Sequence, residues 1–244
     1  MQSLIVIPAR MGSTRFPGKP LCDLLGKPML QWVVEAAQRS GAADRVVVAT
    51  PDHEILNACR DFGVDAIMTS SLHPSGTDRI AEVAKTLEAD VYINVQGDEP
   101  LIHAESILAC ARPLFDNPTI EIGTVCSDCN NEDLDNPAVV KVVTDLAGFA
   151  LYFSRYPIPF PRNPRSTPAK KHVGIYAYRR APLLSFTSWP QGDLELSEGL
   201  EQLRFMEHGI RICVSKGAGA ELAVDTPEQA EEVRRLLARR QAGV

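Results

Sequence analysis

Residues 3–20 read SLIVIPARMGSTRFPGKP. The first six, Ser3–Pro8, form an apolar run rich in β-branched residues, which suits a strand covered on both faces. The run opens into a loop carrying three cations (Arg10, Arg15 and Lys19), two glycines and no acid. Gly12 and Gly18 let main-chain N–H groups approach a ligand closely, while Pro17 and Pro20 discourage continuation as helix. The loop matches neither GxGxxG nor the P-loop pattern, so a dinucleotide site or a P-loop kinase is unsupported. So much positive charge suits a triphosphate, which needs several cations and oriented amides. The competing reading is a solvated loop.

Outward from this stretch, strand and helix patterns alternate. PMLQWVVEAAQRSG predicts a helix between Pro28 and Gly41, with Leu30, Val33, Val34 and Ala37 on one face. Strands follow at 45–50, 64–69 and 90–95, with helices at about 52–62, 77–87 and 103–115. That rhythm predicts an α/β fold: an open, mostly parallel sheet flanked by helices, Rossmann-like in plan.

After Ile120 the rhythm changes. EIGTVCSD, VVKVVTD and FALYFSR read as strands, the last two joined by a turn at 145–148. Residues 155–171 hold five prolines and read as an irregular loop, followed by the strand HVGIYAYRR. Helices are expected at about 182–187 and 194–208, strands at RICVS and ELAVD, and a last helix from Pro227 to about Arg240. We therefore expect residues 1–244 to form one α/β domain with a small mixed or antiparallel excursion at about 127–171.

The bulk numbers narrow the function. Among 244 residues, 25 basic side chains face 31 acidic ones, a net charge of −6 that argues against nucleic acid as a partner. No apolar run approaches the length of a membrane span, and MQSLIVIPAR lacks the basic start of a signal peptide. Six scattered cysteines, with Cys126 and Cys129 the one CxxC, read as reduced thiols of a cytoplasmic protein.

Ligands of open parallel sheets sit at the carboxyl ends of the strands. Gln96-Gly97-Asp98-Glu99-Pro100 ends the fourth strand, and Asp225 follows ELAV before Pro227. Such carboxylates suit a hard cation bridging to phosphate, or else a turn and a helix cap. In HPSGTDR (73–79), Ser75 and Thr77 could cap the next helix or hydrogen-bond a base or ribose.

Taken together, IPARMGSTRFPGKPL, HPSGTDRI, VYINVQGDEP, VVKVVTDLAGFALYFSRYPIP, KHVGIYAYRR, LEQLR and VDTPEQ occur in this order. They resemble the 3-deoxy-D-manno-octulosonate (Kdo) cytidylyltransferases over nearly the whole chain. The resemblance implies an Mg²⁺-dependent nucleotidyltransferase, usually a homodimer, that makes CMP-Kdo and pyrophosphate from CTP and Kdo for lipopolysaccharide synthesis. It further implies that Arg10, Ser13, Arg15 and Lys19 hold the triphosphate. Ala9, Ser75, Arg79 and Gln96 would lie near cytosine and ribose, and Asp98 and Asp225 would be the metal ligands, Asp98 also on the CTP side. Arg10, Lys19, Asp98 and Asp225 would carry catalysis. Arg155, His172, Tyr176, Glu201 and Gln202 would line the sugar-acid pocket, where an Arg155 fork suits the acceptor's carboxylate.

The residues alone allow blander readings of that pocket: His172 as an edge histidine, Tyr176 as core, and Glu201 and Gln202 as a solvated helix face. SWPQGDLELSEG matches the family pattern poorly, and Kdo is not separated from its 8-amino form. A sialic-acid-type cytidylyltransferase and a non-catalytic nucleotide-binding regulator are the rivals. The expected chemistry is in-line attack by the sugar C2 hydroxyl on the α-phosphorus, without a dedicated side-chain base, His172 being the runner-up for one. Residues 127–171 are the expected dimer contact.

Overall fold

Strand β1 (Ser3–Pro8) is flanked in parallel by β4 (Arg45–Thr50) and β6 (Val91–Asn94) in the computed structural model, which describes residues 1–163, 167–218 and 222–242. Beyond β4 lies β5 (Asp65–Met68), also parallel. The chain thus runs outward on one side of β1, then returns to its other side at β6. Loops leaving β1 and β6 diverge there, and the resulting crevice is where such sheets bind ligands.

Past β6 the sheet changes character. β10 (Lys170–Arg179) runs antiparallel to both β6 and β7 (Ile122–Asp128), and β11 (Ile212–Lys216) closes the edge parallel to β7. The hairpin of β8 (Lys141–Thr144) and β9 (Ala150–Ser154) joins the start of β10, so the excursion is continuous with the main sheet. Its turn holds Gly148 at φ 85, a left-handed backbone that glycine adopts without strain. Among the described residues, nine strands make this sheet.

Alternation along β1 feeds two cores. Ile5 and Ile7 pack with α1 (Met29–Arg39), α2 (His53–Asp61) and α4 (Ala104–Asp116) on one face. Leu4 and Val6 face α3 (Gly76–Thr86), α6 (Arg180–Phe186) and α8 (Gln202–Glu207) on the other. A third apolar cluster seats α9 (Pro227–Ala242) through Val224, Ala230, Val233 and Leu237 against Leu24, Met29 and Leu101.

Two expectations are corrected. The helix read over 194–208 is split into α7 (Asp193–Glu198) and α8, because Gly199 takes a left-handed conformation at φ 62 and terminates the first. Of ELAVD, Glu221 lies outside the described residues, and Leu222–Asp225 is irregular rather than a strand. Its recorded tie to the β6 loop is the Val224 N–H donating to the Asp98 carbonyl at 2.9 Å. The pattern also left unread a small pair, β2 (Asp23–Leu24) and β3 (Lys27–Pro28), and the short α5 (Asn131–Leu134).

A buried lysine fastens the excursion. Lys141 is fully buried, and its ammonium donates to the carbonyls of Asn136, Val139 and Arg155 at 3.0, 2.6 and 2.6 Å. Lys141→Met would fill the space but strand those acceptors, at a cost of about 2 to 4 kcal/mol. Urea unfolding measures this, and a loss within the error of the unaltered chain would show the tripod to be dispensable.

Candidate active site

A cavity of about 380 Å³ opens at the β1–β6 crevice. Its walls come from the β1 loop, the loop before α3, the β6 loop and the segment before α9. Ala9, Arg10, Ser13, Arg15, Lys19, Ser75, Arg79, Gln96, Asp98 and Asp225 all line it, so the structure brings together the residues assigned from sequence to nucleotide and metal.

Local geometry explains each wall. The β1 loop is pinned by Ala9 N–H to the Ala49 carbonyl (3.0 Å) and by Met11 N–H to the Asp52 carboxylate (2.7 Å). Gly18, at φ 73, turns the chain so that Lys19 points inward. Gly97 is required for a different reason: a Cβ there would lie 2.8 Å from the Pro8 carbonyl, where the β1 and β6 loops cross. Ser75 caps α3, accepting from the Asp78 N–H (3.2 Å) and donating to the Asp78 carboxylate (2.7 Å). Ser13 braces its own turn by accepting from the Phe16 N–H.

Lys19 is the hub. Its ammonium donates to Asp98 Oδ2 at 2.7 Å, Asp225 Oδ1 at 3.0 Å and the Val224 carbonyl at 2.8 Å. Burial works to lower its pKa, but the two carboxylates outweigh it and hold the ammonium above its ordinary value. Arg15 also pairs with Asp225, at 3.0 Å. Opposite them, Arg79 is buried and donates to Thr69 Oγ1 (2.5 Å) and the Ser70 carbonyl (3.0 Å). Burial and the nearby Arg10 charge both depress the Arg79 pKa, as expected where guanidinium groups converge on an anion site.

Asp98 and Asp225 are close enough to share one ammonium, and both offer hard oxygens. Among the described residues no three His, Cys, Asp or Glu side chains converge as a metal cage. Two carboxylates without a third protein ligand fit Mg²⁺, which keeps waters and takes its other ligands from substrate phosphates.

The five residues assigned to the sugar acid lie outside this cavity lining. His172 Nε2 meets Thr124 Oγ1 at 2.9 Å, and its ring packs on Phe153 and Tyr176. Tyr176 stacks on Tyr178, and burial raises its hydroxyl well above the usual range. Glu201 accepts from Thr77 Oγ1 at 2.9 Å, and Gln202 is buried at the start of α8, so neither belongs to a solvated face. Arg155 is turned elsewhere: its guanidinium donates to the carbonyls of Glu198 (2.7 Å), Pro137 (3.0 Å) and Gly199 (3.3 Å). An acceptor carboxylate would have to compete with those carbonyls for the fork.

Sequence reasoning missed two members of the neighbourhood. His73 lines the cavity and is held by Glu82; its place in HPSGTDR was the available signal. Glu99 has a buried carboxylate oxygen, Oε2, without a hydrogen-bond partner, and its Oε1 lies 3.3 Å from where a Cβ on Gly174 would sit. Nothing local in QGDEP distinguishes it from a surface acid.

Comparison with known proteins gives consistent matches. A family model described as cytidylyltransferase matches residues 4–212. A 3-deoxy-manno-octulosonate cytidylyltransferase from Trichlorobacter lovleyi is 49% identical over 241 residues, covering 93% of this chain and 95% of the relative. The enzyme of the same name from Escherichia coli is 46% identical over 237 residues, covering 97% and 96%. A solved CMP:2-keto-3-deoxy-manno-octonic acid synthetase complexed with CTP superposes with a TM-score of 0.95 at 45% identity, covering 98% of this chain and all of that one.

Burial holds the His172 imidazole at about 3, against roughly 6.5 when unfolded. Between these values only the unfolded chain takes up the proton, so His172 removes stability as pH falls through 6.5. Glu99 acts oppositely: burial, aided by the Asp98 charge, raises its carboxyl to about 8, removing stability as pH rises from 4.5. Comparing the unaltered chain with His172→Gln isolates the histidine. Between pH 6.5 and 5 the unaltered chain should lose about 1 kcal/mol per pH unit relative to the variant. Parallel urea-unfolding profiles would rule out a buried neutral ring.

Proposed function

The chain belongs to the cytidylyltransferase family, and from that premise we propose that it transfers CMP from CTP to Kdo, forming CMP-Kdo and releasing pyrophosphate. The observation that carries this reading is the Lys19 ammonium bridging Asp98 and Asp225 in a cavity whose other cations are Arg10, Arg15 and Arg79. A triphosphate supplies the anion such a cleft is built for. Gln96 and the α3 loop are left for base and ribose.

In the reaction, Arg10 and Arg15 grip the β- and γ-phosphates, and Lys19 joins them by exchanging one of its three protein oxygens for a phosphate oxygen, leaving the α-phosphorus toward the acceptor. The acceptor's C2 oxygen attacks that phosphorus in line; the O–P bond forms as the bond to the β-phosphate breaks, and pyrophosphate leaves on the cationic side. Mg²⁺, held by Asp98 and Asp225, would neutralise phosphate charge and make the attacking hydroxyl more acidic. His172 is neutral at working pH and too weak a base to take the hydroxyl proton, which leaves to solvent; it orients the sugar with Tyr176, Glu201 and Gln202. The product serves lipopolysaccharide synthesis, and the cytoplasm, where CTP is made, is its place; no helix among the described residues is long and apolar enough to cross a membrane.

The reading includes a homodimer joined through residues 127–171, where Leu146, Leu151, Tyr156 and Phe160 are exposed. Four large apolar side chains exposed within one segment suit a partner surface. Leu151→Lys with Tyr156→Lys should convert a dimer to a monomer on gel filtration, and an unchanged elution volume would place the contact elsewhere.

The direct test offers each nucleoside triphosphate with Kdo, 8-amino-Kdo or sialic acid, and reads pyrophosphate. CTP with Kdo should give the fastest release, and Asp98→Ala should lower it by about 100-fold or more. Release that is no faster with Kdo than with sialic acid would reassign the acceptor. A near-native rate for Asp98→Ala at saturating Mg²⁺ would discard the metal role.

A further inference from the structure

Thr77 is the second residue of α3 and almost fully buried, yet its hydroxyl does not serve the helix. Capping falls to Ser75, which accepts from the Asp78 N–H. Thr77 Oγ1 instead reaches 124 residues along the chain and donates to Glu201 Oε2 at 2.9 Å.

Both ends of that bond matter. On one side, Ser75, Gly76 and Arg79 surround Thr77 in sequence and line the nucleotide cavity. On the other, Glu201 precedes α8 and sits close enough to Tyr176 and Tyr178 for its charge to bear on both hydroxyls. The Tyr178 side chain lies beside Thr77 and Asn94, and Asn94 Oδ1 accepts from Gln96 Nε2 at 3.1 Å. A polar chain therefore runs beneath the two halves of the site, from Gln96 on the nucleotide wall to Glu201 on the acceptor side. Burial works against the Glu201 charge, and the Thr77 hydroxyl works for it, so the carboxylate depends on this donor for its place.

We infer that Thr77 is a positioning residue: it fixes the Glu201 carboxylate, so that the segment walling the nucleotide cavity also sets the acceptor pocket. The inference rests on the acceptor role proposed for Glu201. Thr77 itself touches neither substrate in this scheme.

Thr77→Val keeps the shape and removes the donor; Thr77→Ser keeps the donor and removes the methyl. The valine variant should raise KM for Kdo about tenfold while KM for CTP, and CTP affinity measured without acceptor, stay within about twofold. Thr77→Ser should restore the Kdo value. A folded valine variant with unchanged KM for Kdo, or with both KM values raised equally, overturns the inference, the second outcome meaning a merely structural role. Thr77→Ala gives the same readout should the valine side chain prevent folding. No pyrophosphate release by the unaltered chain with CTP and Kdo would instead overturn the function on which the inference rests.

Discussion

One ammonium ties the site together. Lys19 is 13% exposed, and a cation so withdrawn from water persists because three oxygens receive it. Those oxygens belong to the β6 loop and to the segment before α9, parts of the chain that share no strand pairing. Without the lysine, Asp98 and Asp225 would confront each other across the crevice as like charges. With it, three separate walls are registered to one another before any phosphate enters, which is the preorganisation that positioning catalysis needs.

The reversed strand solves a second problem, that of bringing an acceptor to the same edge. Because β10 is antiparallel to β6, with Tyr176 opposite Asn94, the residues preceding Tyr176 extend past the carboxyl end of β6. His172 is thereby carried toward the edge where the nucleotide loops lie, and Gly174 passes against Glu99. A parallel strand in that place would have delivered its opposite end. The β8–β9 hairpin, clamped by Lys141 and Arg155, supports the start of β10 just where it projects.

Much of this is legible in the sequence. The runs 3–8, 45–50 and 90–95 read as strands because burial on both faces leaves an apolar signature, whereas 64–69, a half-exposed edge strand, reads as one mainly from its place in the alternation; the crevice loops follow from their ends. Local chemistry misled at ELAVD: the short apolar run Leu222-Ala223-Val224 before Asp225 imitates a strand, whereas Val224 is buried by α9 and the β6 loop without ladder pairing. The split of 194–208 turned on Gly199, a stop signal outweighed by the helix formers around it. What no window could reveal are contacts set by tertiary packing. Arg155 looked like a carboxylate fork because its main-chain partners at Pro137, Glu198 and Gly199 are distant in sequence, and the bond between Thr77 and Glu201 has no local trace.

The third apolar cluster has a temporal consequence. Asp225 is delivered by a segment seated with α9 on Leu24, Met29 and Leu101, apart from the two cores that cover the sheet. During synthesis the strands β1, β4, β5 and β6 can pair while residue 225 is still unmade. Lys19 then has only Asp98 to hold, and the second carboxylate is missing. A ribosome-bound chain can therefore adopt much of its architecture while still unable to close its phosphate grip, and competence arrives only when the region around residue 225 emerges and docks.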